Sequence, residues 1–345
     1  MDFDSIMQQI TAGLTGKSDE DIAHLMKQAE SYKTHPFAKE IARACGRLMF
    51  ELIPDEKKAE FEQAIGNDSA GISSTLDEIR FVAYKKDFEK ALALIEVLVK
   101  KIETMGAFAD DAVSEYHTFS ELFEEILFFH LKKPEKQLRQ AQLPYAEIYT
   151  LHGSILFDLK RFDEAKRALE KAIHWNPINA HIAYEHAEVS KMLGDMDSYL
   201  RLTKVIMNFA YKPQDLARGF RNLGYYFAEM ELYDVAAGCL HLSLVYEKES
   251  NVAQSELCYI QSKVGERSIR PTDEEQLRQY AGQYEFPLGA SEDVLGLAYA
   301  YGKHALEEEE FDKARYFLEI VYGLTDDEEV KELLGQLPNT TSNKQ

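Results

Sequence analysis

Apolar side chains recur at helical spacing along most of this chain. Ile22, Leu25, Met26 and Ala29 make one stripe, and Ile41, Ala44, Leu48 and Met49 another. Steps of three and four residues are those of a helix burying one face. Strand signals are nearly absent: no sustained one-in-two alternation is bounded by Asn-Gly or Asp-Gly turns. Local chemistry marks helix starts. Thr272-Asp-Glu-Glu275, directly after Pro271, reads as a capping box, and Ser18-Asp-Glu-Asp21 as a weaker one. The pattern predicts an all-α chain.

A second, longer period lies over the first. Tyr149-x3-Gly153-x2-Leu156 is followed by Phe162-x2-Ala165-x3-Leu169-x2-Ala172-x4-Pro177. Phe220-x2-Leu223-Gly224-x2-Phe227 is followed by Tyr233-x2-Ala236-x3-Leu240, and Tyr301-Gly302-x2-Ala305 by Phe311-x2-Ala314-x3-Leu318-x2-Val321. This alternation of small and large residues resembles the tetratricopeptide repeat (TPR), a helix–turn–helix unit of about 34 residues. The resemblance is specific over 146–179, 217–244 and 295–322, and weaker over 76–100. His152 stands where the family usually has leucine, Tyr199 takes the small slot of the 180–213 hairpin, and only Pro177 holds the repeat-ending proline.

Ala91, Ala165, Ala236 and Ala314 share the small slot where the second helix crosses the first, at separations of 74, 71 and 78 residues. Each is about twice the repeat unit, so a degenerate hairpin is expected between each recognisable pair. Candidates are 116–130 with 134–141, 183–209, and 252–265 with 271–284. The resulting division is an N-terminal helical cap or bundle over 1–68, a TPR-like α-α superhelix of about seven hairpins over 72–337, and a frayed polar tail over 338–345. Asn67-Asp-Ser-Ala-Gly71 reads as the linker.

Composition narrows the class of partner. Lys plus Arg number 39 against 60 Asp plus Glu, a net charge of −21. Such a surface repels phosphate backbones and anionic lipid, which argues against nucleic-acid or membrane partners. The N-terminus has no basic and apolar leader, and three cysteines without a CxxC fit a reducing, cytoplasmic setting.

In TPR proteins the first helix of each repeat lines a concave groove that takes a peptide or a partner helix. The resemblance therefore implies a non-catalytic protein-binding or peptide-binding scaffold. It places His181, Tyr184, Glu188 and Lys191 of the 180–213 hairpin, and Arg218, Arg221, Asn222 and Tyr225 of the next, on that groove. Glu147, Thr150, Ser154 and Phe157 take the corresponding slots of the 146–179 repeat. Arginine forks to carboxylates, asparagine pairs with peptide backbone, and tyrosine adds area with one polar tip. Arg218 and Arg221 have an alternative use, as ion-pair partners of Glu185, Glu188 or Glu229 on adjacent helices. The clamp of Lys and Asn used by the chaperone-tail-binding branch is missing, since its first slots hold Thr150 and Ser154.

No motif points to catalysis, a cofactor or a metal. Gly16-Lys17-Ser18 resembles the end of a phosphate-binding loop but lacks the earlier glycine and the preceding strand. His181 and His186 are five apart, the wrong spacing for a helical metal pair. The stripe Leu122, Phe123, Ile126, Phe129 and His130 reads first as core. A helical piece ahead of TPR hairpins is also similar to peptide-regulated bacterial regulators that bind or dephosphorylate response regulators. That alternative would give Gln8 or Gln9 the task of positioning water. A third possibility is a self-associating scaffold whose groove is filled by the helices of 1–68. Oligomeric state is left open.

Overall fold

The computed structural model describes residues 3–52, 71–105, 108–265 and 273–338. The linker expected at 67–71 falls almost wholly outside these residues, as does the tail beyond Pro338. The chain divides into two compact units: residues 1–118 with 133–159, and residues 119–132 with 160–345.

In the first unit, α1 (Phe3–Ala12), α2 (Ser18–Ser31) and α3 (Ala38–Leu52) enclose Ile6, Ile10, Leu25, Ile41 and Cys45. Leu25 and Ile41 of the expected stripes are fully buried, but Met26 is 61 % exposed. The turn before α2 is organised differently from the capping box read at Ser18. Ser18 is inside the helix, and the N-cap, Lys17, makes no side-chain cap. Instead the buried Asp21 carboxylate reaches back to accept from Thr15 N at 2.6 Å, Thr15 Oγ1 at 3.0 Å and Gly16 N at 2.9 Å. Those bonds, the Thr15 backbone bond foremost, hold the Asp21 carboxyl below its ordinary value.

The same unit holds a helix over 71–84 (α4), α5 (Phe88–Met105) and α7 (Tyr145–Asp158), with a tie from Tyr149 Oη to Glu103 Oε1 at 3.0 Å. Residues 116–141, expected to form a helical hairpin, instead contain two short parallel strands. These are β1 (Ser114–His117) and β2 (Gln137–Gln140), paired Ser114 to Gln137 through His117 to Gln140. Parallel strands need a crossover, and the chain between them runs through α6 (Leu122–Lys132), which belongs to the second unit. Carboxylates fix the approach to β1: Asp111 Oδ1 accepts from Val113 N and Ser114 N, and Asp110 Oδ1 from Tyr116 N.

Besides α6, the described elements of the second unit are all helices, joined by turns and loops. In order they are α8 (Phe162–Trp175), α9 (Ala180–Met192), α10 (Met196–Met207), α11 (Pro213–Glu229), α12 (Tyr233–Tyr246) and α13 (Asn251–Val264). They continue with α14 (Glu274–Tyr284), α15 (Glu292–Glu307), α16 (Phe311–Thr325) and α17 (Glu328–Gln336). Consecutive helices pack in pairs. The cap of α14 is Asp273, accepting from Gln276 N at 2.8 Å, rather than Thr272, which lies outside the described residues.

The long period has a backbone signature. Ala91, Ala165, Ala236 and Ala314 are fully buried. Five residues before each, a side-chain-bearing residue turns left-handed: Lys86 at φ 61°, Lys160 at 59°, Glu231 at 58° and Glu309 at 60°. Gly194, at φ 78°, holds the same place before Tyr199. The next amide closes the turn onto the preceding helix, as in Leu232 N to Phe227 O at 2.9 Å and Asp195 N to Ser190 O at 2.9 Å. One left-handed residue with this long back-bond is a standard helix stop. The recurring spacing of small residues also has a steric cause. A methyl added at Gly224 would stand 2.7 Å from Leu240 Cγ, and one at Gly302 2.9 Å from Leu318 Cγ. The leucine of each second helix thus fills the notch left by the glycine of the first.

Candidate functional site

Of the expected groove residues, Glu147, Thr150, Ser154 and Phe157 lie on α7 of the first unit, and the others lie on α9 and α11 of the second, two helices joined by Arg218 and Glu185. Each helix is started by local chemistry. Asn179 Oδ1 accepts from Ile182 N at 3.1 Å to cap α9, and Pro213 opens α11. Proline costs nothing there because that N–H has no helical partner.

Arg218 and Arg221 are placed by carboxylates and rings of adjacent helices. Arg218 Nη1 donates to Glu185 Oε1 at 2.8 Å, and its guanidinium lies 5.3 Å from the centre of the Tyr184 ring. Arg221 pairs with Glu247, and also reaches Ser243 Oγ and Ser250 Oγ at 3.4 Å each. Of the pairings considered from sequence, Glu185 is the one that forms with Arg218. The partner of Arg221 is a residue the spacing did not point to, the C-cap of α12 in the same hairpin.

Further along the same face Glu188 pairs with Lys191. The Lys191 ammonium stands 4.6 Å from the Tyr225 ring centre and 5.5 Å from that of Tyr199, and the two rings meet edge to face at 6.1 Å. Tyr199, the bulky residue in the small slot, is fully buried beneath this contact. Asn222 is 9 % exposed and faces Thr203 Oγ1 at 3.5 Å. The side chain of His181 is 66 % exposed, 4.0 Å from Glu185.

Tyr184 departs from the rest. It is wholly buried, and an added methyl on Gly219 would lie 2.5 Å from its hydroxyl oxygen. It supports Arg218 from behind instead of facing solvent. Burial pushes its phenol far above the ordinary value. Asp215, in the first turn of α11, was not anticipated. Burial raises its carboxyl, against the opposing charges of Lys212, His181 and Arg218.

The starts of α9 and α11 are occupied by α6. Its buried Glu124 accepts from Asn176 Nδ2 at 2.8 Å, Asn179 Nδ2 at 2.9 Å and Ser120 N at 2.7 Å. Phe123 meets the Tyr211 ring at 5.3 Å and the Phe317 ring at 6.0 Å, both edge to face. Glu121 binds Lys212 Nζ at 2.5 Å and Tyr316 Oη at 3.1 Å. The stripe read as core is therefore split: Phe123 is buried, while Leu122, Phe129 and His130 face outward. Glu124 with its asparagines, Phe123 with its rings and Glu121 with Lys212 and Tyr316 together make this seat, and no periodicity in the sequence marks it. Gln8 and Gln9 are exposed on α1. Among the described residues, no group of three or more His, Cys, Asp or Glu is arranged to hold a metal. No helix among them is long and apolar enough to cross a membrane.

A family model of the tetratricopeptide repeat matches residues 146–179, which span α7 and α8. The chain therefore contains a tetratricopeptide repeat, in a predominantly helical fold whose consecutive helices pack in pairs. Comparison with characterised proteins gives no match.

Proposed function

Starting from the tetratricopeptide repeat, we propose that this protein is a non-catalytic scaffold binding a peptide or protein segment on the face of α9 and α11. The observation that carries the reading is the fixed polar face itself. Arg218, Lys191 and Tyr225 are held partly exposed by their neighbours. Side chains already ordered lose little freedom when a partner arrives, so more of each contact appears as affinity. Arg218 is only 25 % exposed and satisfied by Glu185. A partner acid would have to share or displace that pair, whereas the His181 side chain is 66 % exposed and Tyr225 keeps part of its ring open.

Cytoplasmic residence belongs to the same proposal. Its support is that Cys45 and Cys239 are unpaired and buried, as suits a reducing compartment. The net charge of −21 supports partners other than nucleic acid or anionic membrane.

The test is affinity capture from the source cytosol with the full chain and with His181→Glu/Tyr225→Ala, read by mass spectrometry alongside circular dichroism. These positions are preferred to Arg218 and Arg221, whose reversal would set like charges against Glu185 and Glu247. A protein held by wild type and lost by the folded variant supports the reading. Equal capture by both, or no specific capture by wild type, overturns it.

A further inference from the structure

We propose a second recognition site in the second unit: a groove between α15, α16 and α17 that takes an extended peptide carrying an apolar side chain beside a Lys or Arg. The groove has a volume of about 410 Å3. Leu295, Gly296 and Tyr299 of α15 and Val321 of α16 make its floor, and Glu329 and Val330 of α17 its far wall. It is separate from the face of α9 and α11, and stands if the reading of that face falls.

Two independent features point to a peptide of this chemistry. The first is Gly296. Glycine inside a helix is less favourable than alanine, and Gly224 and Gly302 return that cost by admitting Leu240 and Leu318. Gly296 admits nothing of this chain: no atom lies within 4 Å of a methyl built there. Gly46, Gly282 and Gly335 also face open space, but Gly296 alone among these four lines the groove. A bare floor beside apolar Leu295 and Val321 lets a foreign backbone come close.

The second feature is charge. Asp327 and Glu329 line the groove, and Glu292 lies one helical turn before Gly296 on the same face of α15. The nearby cations are already committed, Lys331 to Glu328 at 2.8 Å and Lys303 over the Tyr299 ring at 6.0 Å. Asp327 is further fixed as the cap of α17, accepting from Glu329 N at 2.8 Å and Val330 N at 3.1 Å. The Tyr299 hydroxyl donates to Glu329 Oε1 at 3.3 Å, which leaves that carboxylate its charge and its second oxygen; a floor of Leu295, Gly296 and Val321 rimmed by carboxylates complements a cationic residue next to an apolar one and repels an acidic peptide.

The experiment is selection of a phage-displayed random peptide library on the full chain, in parallel with Gly296→Trp. An added Cβ at Gly296 meets nothing, so the indole enters the groove from an open position, and circular dichroism and melting check that the helices are kept. Peptides enriched at least about tenfold on wild type over Gly296→Trp are expected to combine Lys or Arg with an apolar residue. Their synthetic forms should bind Glu292→Lys/Glu329→Lys at least about tenfold more weakly. That second variant carries the test alone if Gly296→Trp does not fold. The assignment is overturned if no peptide distinguishes wild type from either variant. It is equally overturned if the distinguishing peptides are acidic, or if their binding is lost in His181→Glu/Tyr225→Ala and kept in Gly296→Trp.

Discussion

At Gly224 an added methyl meets Leu240, while at Gly296 it meets nothing, so one substitution has opposite consequences at two helical glycines. Gly224→Ala should cost about 1–3 kcal/mol, because Leu240 must leave its rotamer or the helices part. Gly296→Ala should be neutral or stabilising by up to about 1 kcal/mol through reduced unfolded-state freedom. Urea denaturation of the two variants checks the contrast. The cysteines separate in the same manner. Cys45 and Cys239 are buried and Cys258 is exposed, and burial pushes the Cys45 and Cys239 thiols up. Thiolate is the reactive form. Iodoacetamide should therefore label Cys258 alone in the native chain and all three after denaturation, as counted by intact mass; rapid native labelling of Cys239 would show that its helix opens.

At the scale of elements, helix stops and helix starts carry the energetics. Lys160 and Glu231 hold left-handed turns at φ 59° and 58° with full side chains, a conformation glycine takes without a Cβ penalty. Replacing either by glycine should be neutral or stabilising by up to about 1 kcal/mol, measured by thermal melting. The seat of α6 is more demanding. Glu124→Ala leaves the buried amide of Asn176 without its acceptor and should cost about 1–3 kcal/mol, with faster amide exchange across 122–132. Asp215 adds a pH dependence to the start of α11. Burial raises its folded value, with the nearby cations opposing, so the folded chain keeps this proton to higher pH than the unfolded chain. From the ordinary carboxylate value upward, through the folded value, stability then falls as pH rises. Asp215→Asn has no proton to lose, so its stability relative to wild type should rise across that window. A constant difference between pH 4 and 7, roughly the span from free carboxylate to neutrality, would show that Asp215 is solvated.

At the scale of the molecule, a net charge of −21 sets long-range behaviour before any contact forms. The chain should fail to bind heparin or duplex DNA even at low salt, where attraction to phosphate is strongest. Retention on either resin would require a local basic face strong enough to override that field. The side chains of the α9 and α11 face are held in common by several helices. Arg218 depends on α9 and Arg221 on the end of α12, so their roles follow from stacking and not from the helix they belong to.

The small-residue spacing was legible in the sequence because sterics enforce it locally: a glycine or alanine must lie where a leucine sixteen residues on comes to rest, as at Gly224 with Leu240 and Gly302 with Leu318. Helical periodicity, the matched repeat at 146–179 and the position of the α9 and α11 faces follow from that same short-range rule. β1 and β2 did not show, because four residues such as Ser-Glu-Tyr-His have no alternation to read and become a strand only when a partner 23 residues on supplies the ladder. The seat of α6, the burial of Tyr184 and the Glu247 partner of Arg221 were hidden for a related reason. Each depends on residues far apart in the chain, and a buried carboxylate such as Glu124 is tolerable only once folding brings Asn176 and Asn179 to it.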